Sequence, residues 1–317
     1  MSHHTDSEVR QFAAQYFEWL EYTHKSPVTI SVRRRYLNYF FNWADERGLD
    51  RVDDFERPII ESYQRYMYHY RKTNGQPLGL SSQINRLSVV RSFFKWMAQR
   101  RFIMHNPAAD IEMPKKGIQL PQSVFTLKEV ESIMIQPDIK TLDGIKNRAI
   151  LEIFYSTGIR RSELAGLKLY DYDPERGVLM IRQGKGRKDR VVPIGQRAEL
   201  WLQKYLDDCR DALLVEPSEQ TIFLSTKGTS IPLDCITENM RKYIRMAGID
   251  KKGACHIFRH TAATLMLENG ADIRYIQQML GHSDISTTEI YTRVSIKQLK
   301  NVHNLTHPSS SPPKSEK

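Results

Sequence analysis

Apolar residues recur along most of this chain at helical spacing, interrupted by glycine, proline and short polar clusters. Residues 7 to about 101 read as four helices. The second, roughly Thr29 to Arg47, sets Leu37, Phe40, Phe41 and Ala44 on one face and Ser31, Arg35, Asn38 and Asn42 on the other. The fourth, about Ser81 to Gln99, is expected to bury Ile84, Leu87, Val90, Phe94 and Met97. Its polar face carries Asn85, Ser88, Ser92 and Lys95, with Arg86 and Arg91 on the flanks. Polar and basic side chains on one helix face can meet phosphates and base edges in a DNA groove. Taken alone, they more often describe a plain four-helix domain with a solvated surface.

The periodicity fails over residues 106–123, NPAADIEMPKKGIQLPQS, where Pro107, Pro114, Gly117 and Pro121 mark a linker. Lys115 and Lys116 within it are candidates to follow a nucleic-acid backbone. Thr126 and Glu129 form a capping-box signature that opens a second domain. There Ile145, Ala149, Ile150, Ile153 and Phe154 make a stripe ending at Thr157-Gly158, and Arg160 to Leu164 begins another turn of helix. Gly158 suits a left-handed cap, so Arg160 is held between two rigid elements.

The period then changes to two. Val178–Arg182 and Arg190–Ile194 read as the strands of a hairpin, with Tyr170–Asp173 as a third strand. Its tip, QGKGRKD, has the glycines and lysine of a phosphate loop. A Walker loop also requires a following helix and a Ser or Thr after the lysine, and both are missing. The tip is therefore a solvated turn or a mobile mount for Lys185. Residues 196–250 read as scaffold, with a short extended piece at Thr221–Ser225.

Ala254 to Asn269 follows as a helix, with Phe258, Ala262 and Leu265 toward the core and His256, Arg259 and His260 on another face. A metal site on Cys255, His256 and His260 is disfavoured, because Cys255 points about a third of a turn away and no carboxylate is near. Ile273, Ile276, Met279 and Leu280 make the last stripe, capped by Gly281, beyond which come His282 and Tyr291.

Charge narrows the function. Lys and Arg total 47 against 37 Asp and Glu, a formal charge of +10, which favours a polyanionic partner. No apolar run has the length of a membrane span, and no signal-peptide pattern opens the chain, so a membrane role is not expected. Three widely spaced cysteines, Cys209, Cys235 and Cys255, suit reduced thiols in a cytoplasm.

Singly, each polar residue of the second domain has an ordinary explanation: a surface salt bridge for Arg160, a helix cap for His282, a rim tyrosine for Tyr291. Their order within specific strings is more informative. TGIRRSEL carries Arg160, GKGRKDR carries Lys185, HIFRH carries His256 and Arg259, and LGHSDISTTEIYT carries His282 and Tyr291. These strings resemble the signature motifs of the tyrosine recombinase (phage integrase) family, especially its bacterial Xer-like members. The resemblance is strong over residues 125–305 and weaker over 7–105. Arg161 departs from it, since an apolar residue is common after the motif's arginine.

The resemblance implies a mostly α fold with a small β-sheet. A four-helix SAM-like core-binding domain (1–105) and a linker (106–123) precede a mixed α/β catalytic domain (124–306) and a disordered tail (307–317), the domains closing as a C-shaped clamp on DNA. It implies that Tyr291 attacks a DNA phosphate to form a 3′-phosphotyrosyl bond, and that strand exchange passes through a Holliday junction. Arg160 and Arg259 would hold the non-bridging oxygens, Lys185 protonate the 5′ leaving oxygen, and His256 and His282 assist. Glu163 becomes a buttress. No metal, ATP or other cofactor is implied. The expected DNA contacts are Arg35, Asn38, Asn85, Arg86, Ser88, Ser92, Lys95, Lys115 and Lys116.

The expected partners are a double-stranded recombination site and a homo-tetramer on two sites, with or without a paralogous recombinase, in a bacterial cytoplasm. Ser295–Leu305 resembles the family's C-terminal helix, which docks on a neighbouring protomer; its stripe is Ile296, Leu299, Val302 and Leu305. Two other functions fit parts of the pattern. A type IB topoisomerase would nick and reseal one duplex, and a two-site recombination assay separates it. An architectural DNA-binding protein would form no covalent adduct.

Overall fold

The structure, a computed structural model, describes residues 7–115, 124–182, 189–251 and 253–281. The chain divides into two compact units, residues 1–118 and 119–317. Lys116, Lys185, His282, Tyr291, the segment Ser295–Leu305 and the tail 307–317 lie outside the described residues.

The first unit contains α1 (Glu8–Tyr22), α2 (Pro27–Asp45), α3 (Arg57–His69) and α4 (Leu80–Gln99), with a 3-10 turn at Val52–Asp54. Helix α2 starts two residues before the apolar stripe suggests. Ser26 caps it by accepting a hydrogen bond from the Thr29 amide at 3.2 Å, and Pro27 supplies a preset first turn. The core is aromatic: the Phe40 ring meets Tyr63 edge-on at 4.9 Å and Phe94 at 6.1 Å. The buried stripe of α4 is Gln83, Leu87, Val90, Phe93, Phe94, Trp96 and Met97. Ile84, expected inside, is half-buried at the margin because Gln83 turns inward and donates to the Leu78 carbonyl at 2.8 Å. The expected linker is not featureless at its start, since Ala108 and Ile111 pack into this core.

The second unit begins with α5 (Leu127–Met134), α6 (Leu142–Thr157) and α7 (Arg161–Gly166). The capping box on α5 is formed as the sequence suggests, Glu129 accepting from the Thr126 amide at 2.7 Å and Thr126 from the Glu129 amide at 3.3 Å. Strands β1 (Tyr172–Asp173), β2 (Val178–Ile181) and β3 (Arg190–Pro193) make an antiparallel sheet in that order, with Ile181 opposite Arg190. Helix α8 (Gln196–Tyr205), a π-helical turn (Leu206–Arg210) and α9 (Asp211–Leu213) follow. Ile222, Phe223 and Leu224, in the expected extended piece, are fully buried.

Helices α10 (Leu233–Met246), α11 (Cys255–Glu268) and α12 (Ile273–Leu280) complete the unit. Helix α11 is buried around most of its circumference rather than on one face. Ile257, Phe258, Ala263 and Leu267 enter the core, while Leu265 stays partly exposed. A helix enclosed this way loses the simple amphipathic signature.

Candidate active site

Two glycine breaks build the site. Helix α6 ends at Gly158, whose φ of +59° is a left-handed cap, and α12 ends at Gly281 with φ +66°. A Cβ on Gly158 would lie 2.8 Å from a Leu280 methyl, so the two helix ends also press against each other.

The first break delivers Arg160 as the residue preceding α7. Its amide donates to Glu163 at 2.8 Å, Nη1 to the same carboxylate at 2.7 Å, and Nη2 to the Gly281 carbonyl at 3.1 Å. Arg259, on α11, is 5% exposed. It donates from Nη1 to the Gly158 carbonyl and from Nη2 to the Leu280 carbonyl, both at 2.7 Å. The two arginines thus lie on consecutive carbonyls at the end of α12. Those carbonyls have no partner within the helix and carry the negative end of its dipole, so guanidinium groups are natural ligands for them.

Sequence reasoning missed Arg190. From β3 its Nη1 and Nη2 bind both oxygens of Glu163 at 3.0 and 2.7 Å, and its Nε donates to the Met279 carbonyl at 2.8 Å. A charged residue opening a strand after a basic loop gives no local sign of such burial. Burial pushes the Glu163 carboxyl upward, but hydrogen bonds from Arg190 and from the Arg160 amide outweigh it and hold it at about 2. The expected buttress is therefore ionised and shared between two guanidinium groups.

His256, one turn before Arg259, keeps its ring open to solvent. Partial desolvation, followed by the charges of Arg259, Arg161 and Arg160, lowers it below the ordinary imidazole value. That favours the neutral ring, which can accept a proton. Arg161 now has a structural explanation. Its Nη1 donates to the Leu233 carbonyl at 3.3 Å and to the Thr237 hydroxyl, joining α7 to the start of α10. Cys255 is buried, and desolvation raises its thiol to about 11.

The structure gathers Arg160 and Arg259 at the end of α12, with His256 close enough to feel both charges. Lys185, His282 and Tyr291 lie outside the described residues. No His, Cys, Asp or Glu cluster suited to a metal ion occurs among the described residues.

The expected DNA contacts of the first unit divide. Arg35 and Asn38 on α2, Asn85, Ser88 and Lys95 on α4, and Lys115 are exposed. Ser92 is half-buried, within hydrogen-bonding distance of the Tyr16 hydroxyl at 3.2 Å and Arg33 Nη1 at 3.3 Å. Arg86 stacks 4.0 Å above the Tyr39 ring. Tyr39 itself is 43% exposed, which the apolar stripe of α2 did not reveal.

Comparison with known proteins gives the family. The chain belongs to the phage integrase family, whose model matches residues 123–298. Within that family it is an Xer-like tyrosine recombinase, a site-specific enzyme that cleaves DNA and transfers strands. It is 43% identical to tyrosine recombinase XerC 2 of Ralstonia nicotianae over 95% of this chain and 86% of that protein. It is 37% identical to tyrosine recombinase XerD of Lacticaseibacillus casei over 86% of this chain and 89% of that protein. In fold it is similar to the XerH site-specific recombinase, solved as a post-cleavage complex on its palindromic difH substrate. That match has a TM-score of 0.71 and 21% identity, covering 88% of this chain and 80% of the XerH chain. No helix among the described residues is long and apolar enough to cross a membrane.

Proposed function

We propose that Tyr291 is the nucleophile and that Arg160 and Arg259 carry the phosphate on which it acts. The tyrosine oxygen attacks the scissile phosphorus, the P–O5′ bond breaks, and a 3′-phosphotyrosyl bond replaces it. Arg160 and Arg259 hold the non-bridging oxygens while negative charge accumulates on them. Lys185 gives its proton to the departing 5′ oxygen, His256 takes the tyrosine proton, and His282 donates to a phosphoryl oxygen. A 5′-hydroxyl from the partner duplex then attacks the phosphotyrosyl bond, rejoining DNA and releasing Tyr291. One phosphoester replaces another at each step, so the sequence needs no external energy source.

The observation that supports this most is the seating of Arg160 and Arg259 on the Gly281 and Leu280 carbonyls. The chain leaves that point directly into His282 and, nine residues later, Tyr291. Two cations fixed at the root of the segment bearing the nucleophile suit a charged phosphodiester. Arg35, Asn38, Asn85, Ser88, Lys95, Lys115 and Lys116 contribute DNA contacts beside the Arg86–Tyr39 pair. The enzyme works as a tetramer on two sites in the bacterial cytoplasm, with or without a related second recombinase.

Covalent capture tests the assignment. A labelled duplex nicked near the cleavage point is incubated with wild type, Tyr291→Phe and Arg160→Ala without divalent metal. Wild type is expected to give a denaturation-resistant adduct; Tyr291→Phe should give none and Arg160→Ala a strongly reduced yield. An adduct formed equally by Tyr291→Phe would refute the nucleophile.

A further inference from the structure

We infer that Arg190 is a positioning residue for DNA cleavage, acting through Glu163 on Arg160 and through the Met279 carbonyl on the end of α12. The inference rests on the reading that Arg160 carries the scissile phosphate and Tyr291 attacks it.

Three guanidinium groups from three elements take three consecutive carbonyls. Arg190 of β3 takes Met279, Arg259 of α11 takes Leu280, and Arg160 before α7 takes Gly281. Arg190 differs from the other two in that its guanidinium alone also spans both oxygens of Glu163, the carboxylate that orients Arg160. Only 9% of its side chain is exposed. Its Nε and two terminal nitrogens are committed to protein acceptors, so it braces the site instead of facing a substrate. The approach is close: a Cβ on Gly281 would lie 3.1 Å from the Arg190 guanidinium carbon. One planar side chain therefore registers both a phosphate-binding arginine and the backbone from which the nucleophile segment departs. A planar fork with Nε can satisfy three acceptors in fixed directions; a lysine ammonium cannot match that geometry.

Arg190 also follows directly on the loop that carries Lys185, so the rival role is support of that loop. The two roles differ chemically. Replacing the scissile 5′-bridging oxygen with sulfur gives a leaving group that departs without a proton, which removes the need for Lys185 but not for correctly placed arginines.

The test uses full-length protein and single-turnover adduct formation on nicked duplexes with oxygen or sulfur at that position. Circular dichroism, melting temperature and DNA affinity are measured in parallel. Arg190→Gln is expected to slow cleavage about 10- to 100-fold, the scale of a small misplacement of reacting groups. Its DNA affinity should stay within about threefold of wild type. The defect should be equal on the sulfur substrate, where Lys185→Ala recovers. Arg190→Lys, which keeps the charge and serves if Arg190→Gln does not fold, is expected to lose about 3- to 10-fold on both substrates. Wild-type cleavage by Arg190→Lys and by any folded Arg190→Gln would overturn the inference. So would a defect fully matched by weaker DNA binding, or one that sulfur restores. Arg160→Ala and Tyr291→Phe run alongside: normal cleavage by either refutes the underlying catalytic reading, whatever Arg190 does.

Discussion

Both carboxylate oxygens of Glu163 are held by Arg190, at 3.0 and 2.7 Å. The sign of the resulting pH dependence follows from the carboxyl's depression from its ordinary value of 4.5 to about 2. Its contribution is fully present above pH 4.5 and is lost as pH falls toward 2. The shift corresponds to roughly 3 kcal/mol. Melting curves should show wild type losing stability across that window. Glu163→Gln should be less stable at pH 7 and flatter toward acid; parallel curves for the two proteins would count against an ionised, paired Glu163.

His256 offers a second titration. Its folded value lies below the ordinary 6.5, through desolvation first and then Arg259, Arg161 and Arg160. The unfolded chain takes up that proton more readily, so His256 reduces stability as pH falls through 6.5. Imidazole NMR titration of the free protein should place His256 below 6.5. Arg161→Gln should move it upward, and an unchanged midpoint in that variant would exclude Arg161 as a contributor.

Gly281 is expected to tolerate alanine poorly. An L side chain at its φ of +66° is strained, and the added Cβ crowds Arg190. Gly248, φ +71°, is the control because a Cβ added there would meet nothing within 4 Å. Gly248→Ala should cost about 1 kcal/mol and Gly281→Ala about 2 kcal/mol or more, with cleavage impaired only in the latter. Thermal melts read the first difference and adduct formation the second.

On the first unit, Arg35→Ala and Lys95→Ala should weaken DNA binding broadly and each reduce the log–log salt slope by about 1. Ser92→Ala should leave the slope unchanged and cost about 1 kcal/mol of stability, because its hydroxyl bonds to Tyr16 and Arg33. Binding isotherms across salt concentrations, paired with melts, separate the two behaviours.

Much of the fold was legible because its signals are local. The stripe Leu37, Phe40, Phe41 and Ala44, the Thr126 capping box, the glycine caps at 158 and 281, and the hairpin pairing each involve residues close in sequence or a simple period. The strings around Arg160 and Arg259 marked two arginines that the fold brings to one helix end. Less visible were side chains whose environment depends on distant elements. Gln83 turned inward with Ile84 left at the margin, and Ser92 met the Tyr16 hydroxyl from a neighbouring helix.

By itself, then, the sequence determined the helices, the small sheet, the family and the order of the candidate catalytic residues. Tertiary structure alone decided what each cation holds. Arg190 is 27 positions from Glu163 and 89 from Met279, and Arg160 is 121 from Gly281. Periodicity reports which face of an element is apolar; it carries no information about which carbonyl a folded neighbour will present. Those pairings arise only when α7, β3, α11 and α12 pack together, because orphan carbonyls at a helix end and a buried carboxylate must then find donors.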